Sequence, residues 1–190
     1  LSTVDQVQSH LGTNVNLGII LLLGPIIAAD EHANAMQGNQ TIDTNGSSIK
    51  DLNAWMPEVS SALENLSDED GRLIFLAIQR ASPGGMGTTT HWDVGQAHTH
   101  IDILQAMDSV RDRDRIALQY SDRFVDLISH ITPILQRAIE STGDVLAGIS
   151  HAHVHLLAEA PDTLIERKNG KEVAATVQER ARSVDPHDAS

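Results

Sequence analysis

The chain has no cysteine. That absence excludes disulfides, cysteine-ligated zinc, iron–sulfur clusters and a thiol nucleophile, and it accords with a cytoplasmic protein. Aromatic residues are nearly missing as well, at 3% of 190 residues. Sandwiches and barrels draw on Tyr, Phe, Trp, Val and Thr, so the composition argues against an all-β fold. Lysine occurs only at Lys50, Lys168 and Lys171, and 13 Lys+Arg face 26 Asp+Glu, for a formal net charge of −13. No basic stripe is present to displace phosphate counterions, so nucleic acid is not an expected partner. An anionic membrane surface is disfavoured for the same reason. An acid-rich, lysine-poor surface suits high salt, and ordinary acidic solubility explains the same numbers. The longest apolar run, 17–29, contains Gly18, Gly24 and Pro25. It is shorter than the ~20 residues of a membrane span and has no basic lead-in of the signal-peptide kind.

What is present suffices for a core of Leu, Ile, Val, Ala and Met: apolar residues make up 41% and charged residues 21%, near the globular average. The length predicts one domain over 1–190, with a frayed tail at 185–190. Apolar residues recur at three- and four-residue spacing, and nothing alternates with period two. The expectation is an all-α fold, a single multi-helix bundle of roughly seven to eight helices. Leu17–Met36 is apolar on most faces and should be central, with a kink or break at Pro25. The stretch 38–48 reads as a loop, and 49–66 as a helix. Ser67 caps a helix running to about Ala81, with Asp68, Glu69 and Asp70 in its first turn. Residues 93–109 read as helical. Residues 112–142 read as a long helix divided at Pro133. Further helices are expected over 144–159, from Asp162 or Thr163 to Lys168, and over 171–184 with Val173, Val177 and Ala181 inward. Asn169-Gly170 is a stop signal.

Four segments bear chemistry. Asn14 and Asn16 lie in Gly12–Gly18, just ahead of the apolar helix. Asn side chains with helix-terminal amides suit an anion or a sugar hydroxyl, and they equally form a capping loop. Ser82–Gly87 carries Gly84, Gly85 and Gly87, whose amides can cradle phosphate. It lacks the Lys-Ser/Thr of a P-loop and also reads as an interhelical turn. Asp93, in His91-Trp92-Asp93-Val94, is a carboxylate after a glycine loop, suited to Mg²⁺ or to a helix cap; His98 and His100 diverge if helical. Finally, His151, His153 and His155 alternate. On a strand they would share a face, whereas on a helix only His151 and His155 align. The pattern is not HExxH. Asp162 and Thr163 follow, then Arg167 and Lys168 about a turn later. This set suits phosphate oxygens, or a capped helix with cations at its end. The run Arg111–Arg115 reads as a solvated, self-neutralising linker.

In this order the segments resemble the triphosphoribosyl-dephospho-CoA synthase family, closest to its shorter, archaeal-type branch. The likeness is carried by GTNVNLGIILLLGPIIAA (12–29), PGGMG with DV (83–94), ILQAMDSVRDRDRIALQY (103–120) and HAHVHLLAEAPDTLIERKNG (151–170). Its most specific part is the Asp-Thr pair with a following basic residue and glycine. The family's N-terminal Pro-Lys-Pro-Gly type motif has no counterpart here, so the chain reads either as a truncated family member or as a shortened relative.

The resemblance implies an all-helical transferase that moves the 5-triphosphoribosyl group of ATP to the 2′-hydroxyl of 3′-dephospho-CoA. Adenine leaves, Mg²⁺ accompanies the triphosphate, and the product is a prosthetic-group precursor. On that basis Asp93 and Asp162 are assigned to Mg²⁺ or transition-state charge, and His151 or His153 to acid/base work. Arg167 and Lys168, with Thr163, are assigned to phosphates; Gly84, Gly85 and Gly87 supply amides; Asn14 and Asn16 take ribose or phosphate oxygens. The alternatives are a non-catalytic helical module binding a nucleotide or protein, and a metal-dependent phosphohydrolase using His151, His155 and the aspartates. Exposed aliphatic helix faces also suggest a homodimer.

Overall fold

The computed structural model describes residues 6, 9, 10, 16–36, 56–81, 92–96 and 98–184, with backbone alone at 32–36. Among these residues there is no strand, and nine α-helices are present. The fold is all-α, as expected. The chain divides into two compact units, Leu1–Phe124 and Val125–Ser190.

In the first unit, α1 (Leu17–Met36) packs on α2 (Met56–Glu64) and touches α3 (Asp68–Ala81) and α5 (Arg115–Ser121); α4 (Ile103–Asp108) packs between α3 and α5. Leu17, Leu21, Pro25 and Ala29 recur every fourth residue and form the buried face of α1. The expectation of a central helix holds for that face alone. Ile19 and Ile27 on other faces stay 56% and 54% exposed.

Pro25 does not end α1: the helix runs through it from Leu17 to Met36. A proline inside a helix leaves the carbonyl four residues back without its donor. Here that carbonyl belongs to Leu21, and the Tyr120 hydroxyl of α5 donates to it at 2.8 Å. Tyr120 is one of the largest fully buried side chains, and burial pushes its phenol well above the ordinary tyrosine range. The phenol therefore stays neutral and keeps the proton that Leu21 needs. Tyr120→Phe retains the packing and removes the donor. It should cost about 1–3 kcal/mol in urea denaturation with an unchanged m-value. Parental stability in the variant would show that another donor serves Leu21.

Ser67 caps α3 as expected. Its hydroxyl lies 3.3 Å from the Asp70 amide, and the Asp70 carboxylate accepts from the Ser67 amide at 2.9 Å and from its hydroxyl at 2.6 Å. These bonds hold the Asp70 carboxyl below its usual range. The side chains of α3 that point inward are Phe75, Ile78 and Ala81. Of the helix read over 49–66, residues 56–64 are helical and 49–55 lie outside the described residues, as does the 38–48 loop.

The helix expected over 93–109 is confined to α4. Asp93 is not a helix cap. Its Oδ1 accepts from the Gly95 amide at 2.7 Å, two residues on, so the chain turns instead of coiling. Asp102 is the true cap, accepting from the Gln105 amide at 3.0 Å. In the Arg111–Arg115 run, residues 111–113 are exposed as read, but Asp114 caps α5 through the amides of Ile116 and Ala117.

The break in 112–142 falls ten residues before Pro133. Arg123 and Phe124 have φ of 61° and 64°. This left-handed region costs a non-glycine residue about 1–2 kcal/mol. Burial of the Phe124 ring, 0% exposed, opposes that cost, and the Phe124 amide closes the corner on Gln119 O at 2.7 Å.

The second unit opens with a wide π-helical segment, Asp126–Ile131, which runs into α6 (Thr132–Thr142). Pro133 sits in the first turn of α6, where its ring is tolerated, and the boundary between the π-helical segment and α6 falls just before it, so the stretch changes at Pro133 as well as at the Arg123-Phe124 corner. Then come α7 (Val145–Glu159), α8 (Thr163–Asn169) and α9 (Lys171–Ser183); α7 packs on α6 and α9, and α8 packs on α9. The inward residues of α9 are Ala174 and Ala181, while Val173 is 43% exposed, contrary to expectation.

Candidate functional site

The best-defined candidate is the α7–α8 junction of the second unit. Asp144 starts α7 by accepting from the Ala147 amide at 2.8 Å. The helix ends where Pro161 removes a backbone donor. Asp162 then takes extended backbone angles (φ −71°, ψ 121°) and caps α8. Its Oδ1 accepts from the Ile165 amide at 2.7 Å, and its carbonyl accepts from the Glu166 amide at 2.9 Å. Among the described residues, the second carboxylate oxygen has no partner. Asp162, Thr163 and Arg167 are half-buried, whereas Lys168 is exposed and makes no ion pair within the described residues. Gly170, at φ 95°, lets the chain turn from α8 into α9, and its amide bonds Glu166 O at 2.8 Å.

The three alternating histidines lie on a helix, so they do not share one face. His151 is half-buried and His153 exposed, and neither has a hydrogen-bonding partner among the described residues. His155 has one: its Nε2 is 3.2 Å from Glu159 Oε1. The other oxygen, Oε2, is 2.8 Å from His130 Nε2 in the π-helical segment. One carboxylate thus holds two imidazoles. Sequence reasoning missed Glu159 and His130. The four-residue spacing from His155 could have flagged Glu159; no local signal points to His130, 29 positions away.

Among the described residues, no group of three or more His, Asp or Glu side chains is placed to hold a metal. The phosphohydrolase alternative therefore gains no ligand set from them.

The first-unit candidates are built differently. Asn16 immediately precedes α1, and its carbonyl accepts from the Ile20 amide at 2.9 Å. Asp93 lies in the turn described above. That turn is pinned by Gln79, whose amide donates to Val94 O, and by His98, whose Nε2 is 2.8 Å from Asp93 O. The His98 ring also packs edge-on against Phe75 at 5.5 Å and near Trp92 at 5.7 Å. His100 pairs instead with Asp68 at 2.7 Å. These histidines are structural ties. Asn14, Gly84, Gly85, Gly87 and His91 lie outside the described residues.

Among the described residues the chain is thus all-helical, with an Asp-Thr helix start followed by Arg-Lys and glycine. The family model for ATP:dephospho-CoA triphosphoribosyl transferase (CitG) matches residues 1–189. The chain belongs to that family and is an enzyme of the triphosphoribosyl-dephospho-CoA transferase type. No curated protein and no solved structure matches it. No helix among the described residues is long and apolar enough to cross a membrane.

Proposed function

We propose that the chain moves the 5-triphosphoribosyl group of ATP onto the ribose 2′-hydroxyl of 3′-dephospho-CoA, releasing adenine and making a prosthetic-group precursor. The family match over residues 1–189 carries this reading, and the chemistry of the α7–α8 junction supports it. In the reaction the C1′–N9 bond breaks, and its electron pair leaves with adenine, which takes up a proton. The C1′–O2′ bond forms, and the acceptor hydroxyl loses its proton to a base. Positive charge builds on the ribose at the transition state, as in glycoside chemistry. A fixed carboxylate stabilises such charge. Asp162 suits this role because capping occupies one oxygen, fixes the side chain and leaves the other oxygen for the substrate. Thr163, Arg167 and Lys168 bind triphosphate oxygens, and His151 or His153 takes the acceptor proton.

Mg²⁺ fits this donor set. It favours one or two carboxylates, substrate phosphates and water over an all-protein cage, so Asp162 with the nucleotide meets its needs. When bound, Mg²⁺ neutralises triphosphate charge. That neutralisation matters in a chain of net charge −13, which repels the free nucleotide.

Incubation with ATP, Mg²⁺ and 3′-dephospho-CoA should yield adenine and a triphosphoribosyl adduct in equal amounts, read by mass spectrometry. Release of inorganic phosphate without adenine would overturn the proposal in favour of a hydrolase. Binding of ATP without turnover would overturn it in favour of a non-catalytic module.

A further inference from the structure

The last turn of α7 is tied by side chains that come from outside the helix. The final carbonyls of any α-helix lack intrahelical donors. Here Gln178 Nε2 of α9 donates to the carbonyls of Ala158 at 3.3 Å and Glu159 at 3.0 Å. One helical turn further along α9, Arg182 Nε donates to Ala158 O at 2.9 Å. The arginine also places a cation at the negative end of the α7 dipole. The Glu159 side chain is fixed in turn by His130 and His155. Three residues beyond Glu159 stands Asp162.

We infer that Gln178 and Arg182 are positioning residues: by clamping the end of α7, they set where Asp162 and the first turn of α8 stand. The inference rests on the transfer reading for its catalytic consequence but not for its structural one. A chain leaving a helix through Ala160 and Pro161 inherits its direction from the last fixed carbonyls. Small misplacements of a reacting group reduce rate steeply. The effect belongs on turnover more than on nucleotide affinity, because Gln178 and Arg182 bond the carbonyls of Ala158 and Glu159.

The test uses the full chain with Gln178→Ala, Arg182→Ala and Arg182→Lys. Hydrogen exchange is read at the Ile165 and Glu166 amides, which Asp162 holds directly, and across α6 as an internal reference. The alanine variants should exchange at least about fivefold faster at Ile165 and Glu166, with α6 unchanged. They should also lower kcat for adenine release by about tenfold, with KM for ATP moving less than about twofold. Arg182→Lys keeps a cationic donor and should recover most of both effects. Unchanged exchange at Ile165 and Glu166 would overturn the clamp, as would an equal rise throughout α6. Faster local exchange with full kcat would overturn the positioning role. Faster local exchange in a chain whose parent releases no adenine would uphold the clamp and overturn the transfer reading instead.

Discussion

Asp162→Asn should fold like the parent and lose at least about a hundredfold in adenine release, the scale set by removal of one transition-state charge partner. Asparagine caps helices about as well as aspartate. Its side-chain oxygen can accept the Ile165 amide that Asp162 now accepts at 2.7 Å. What the substitution removes is the negative charge, whose interaction with the start of α8 contributes about 0.3–1 kcal/mol. A residue needed only as a cap would therefore give an Asn variant with near-parental activity. Asp162→Ala supplies the contrast, since it loses cap and charge together and should add about 1 kcal/mol of destabilisation. Steady-state adenine release and urea denaturation on both variants separate the two roles. An Asn variant turning over at the parental rate would remove Asp162 from the chemistry.

Much of this was legible in the sequence because it is local. Ser67 stands before an acidic first turn, Asp144 and Asp162 stand before apolar residues, and each caps the helix that follows. A cap bonds amides two or three positions on, so sequence spacing specifies it. Other features are not settled by local spacing. Pro25 reads as a kink or break because its neighbours hold nothing that can serve Leu21; the helix continues, and the donor is Tyr120, 99 positions away. The boundary before Pro133 is legible, whereas the corner at Arg123-Phe124 is not, because it contains no glycine or proline to announce it. The inward face of α9 reads as Val173 because valine is the more apolar residue, but Ala174 is the buried one. The site followed the same rule. Asp162 and its helix were readable, whereas His130, Gln178 and Arg182 reach the end of α7 from 20 or more positions away in most of their bonds.

Gly148→Ala should be the most damaging single-methyl change in the second unit. Alanine is worth about 1 kcal/mol more than glycine inside a helix, so propensity alone predicts a gain. Packing reverses the sign. A Cβ at position 148 would stand 2.5 Å from Ile139 Cγ1, 2.7 Å from Ile139 Cα and 2.8 Å from Ile139 N. Side-chain atoms can rotate away, but the last two belong to the backbone of α6. The new methyl therefore has room only if α6 and α7 separate, and that exposes the face on which they pack. Overpacking of this kind costs about 1–3 kcal/mol and sometimes more; with no flexible neighbour to yield, a net loss near 3 kcal/mol is expected in urea denaturation. Ile139→Ala in the same chain identifies the cause. It removes Cγ1 and leaves the two backbone contacts, so it should not rescue Gly148→Ala. Full rescue would mean that the side chain alone set the limit and that the helix backbones are free to adjust.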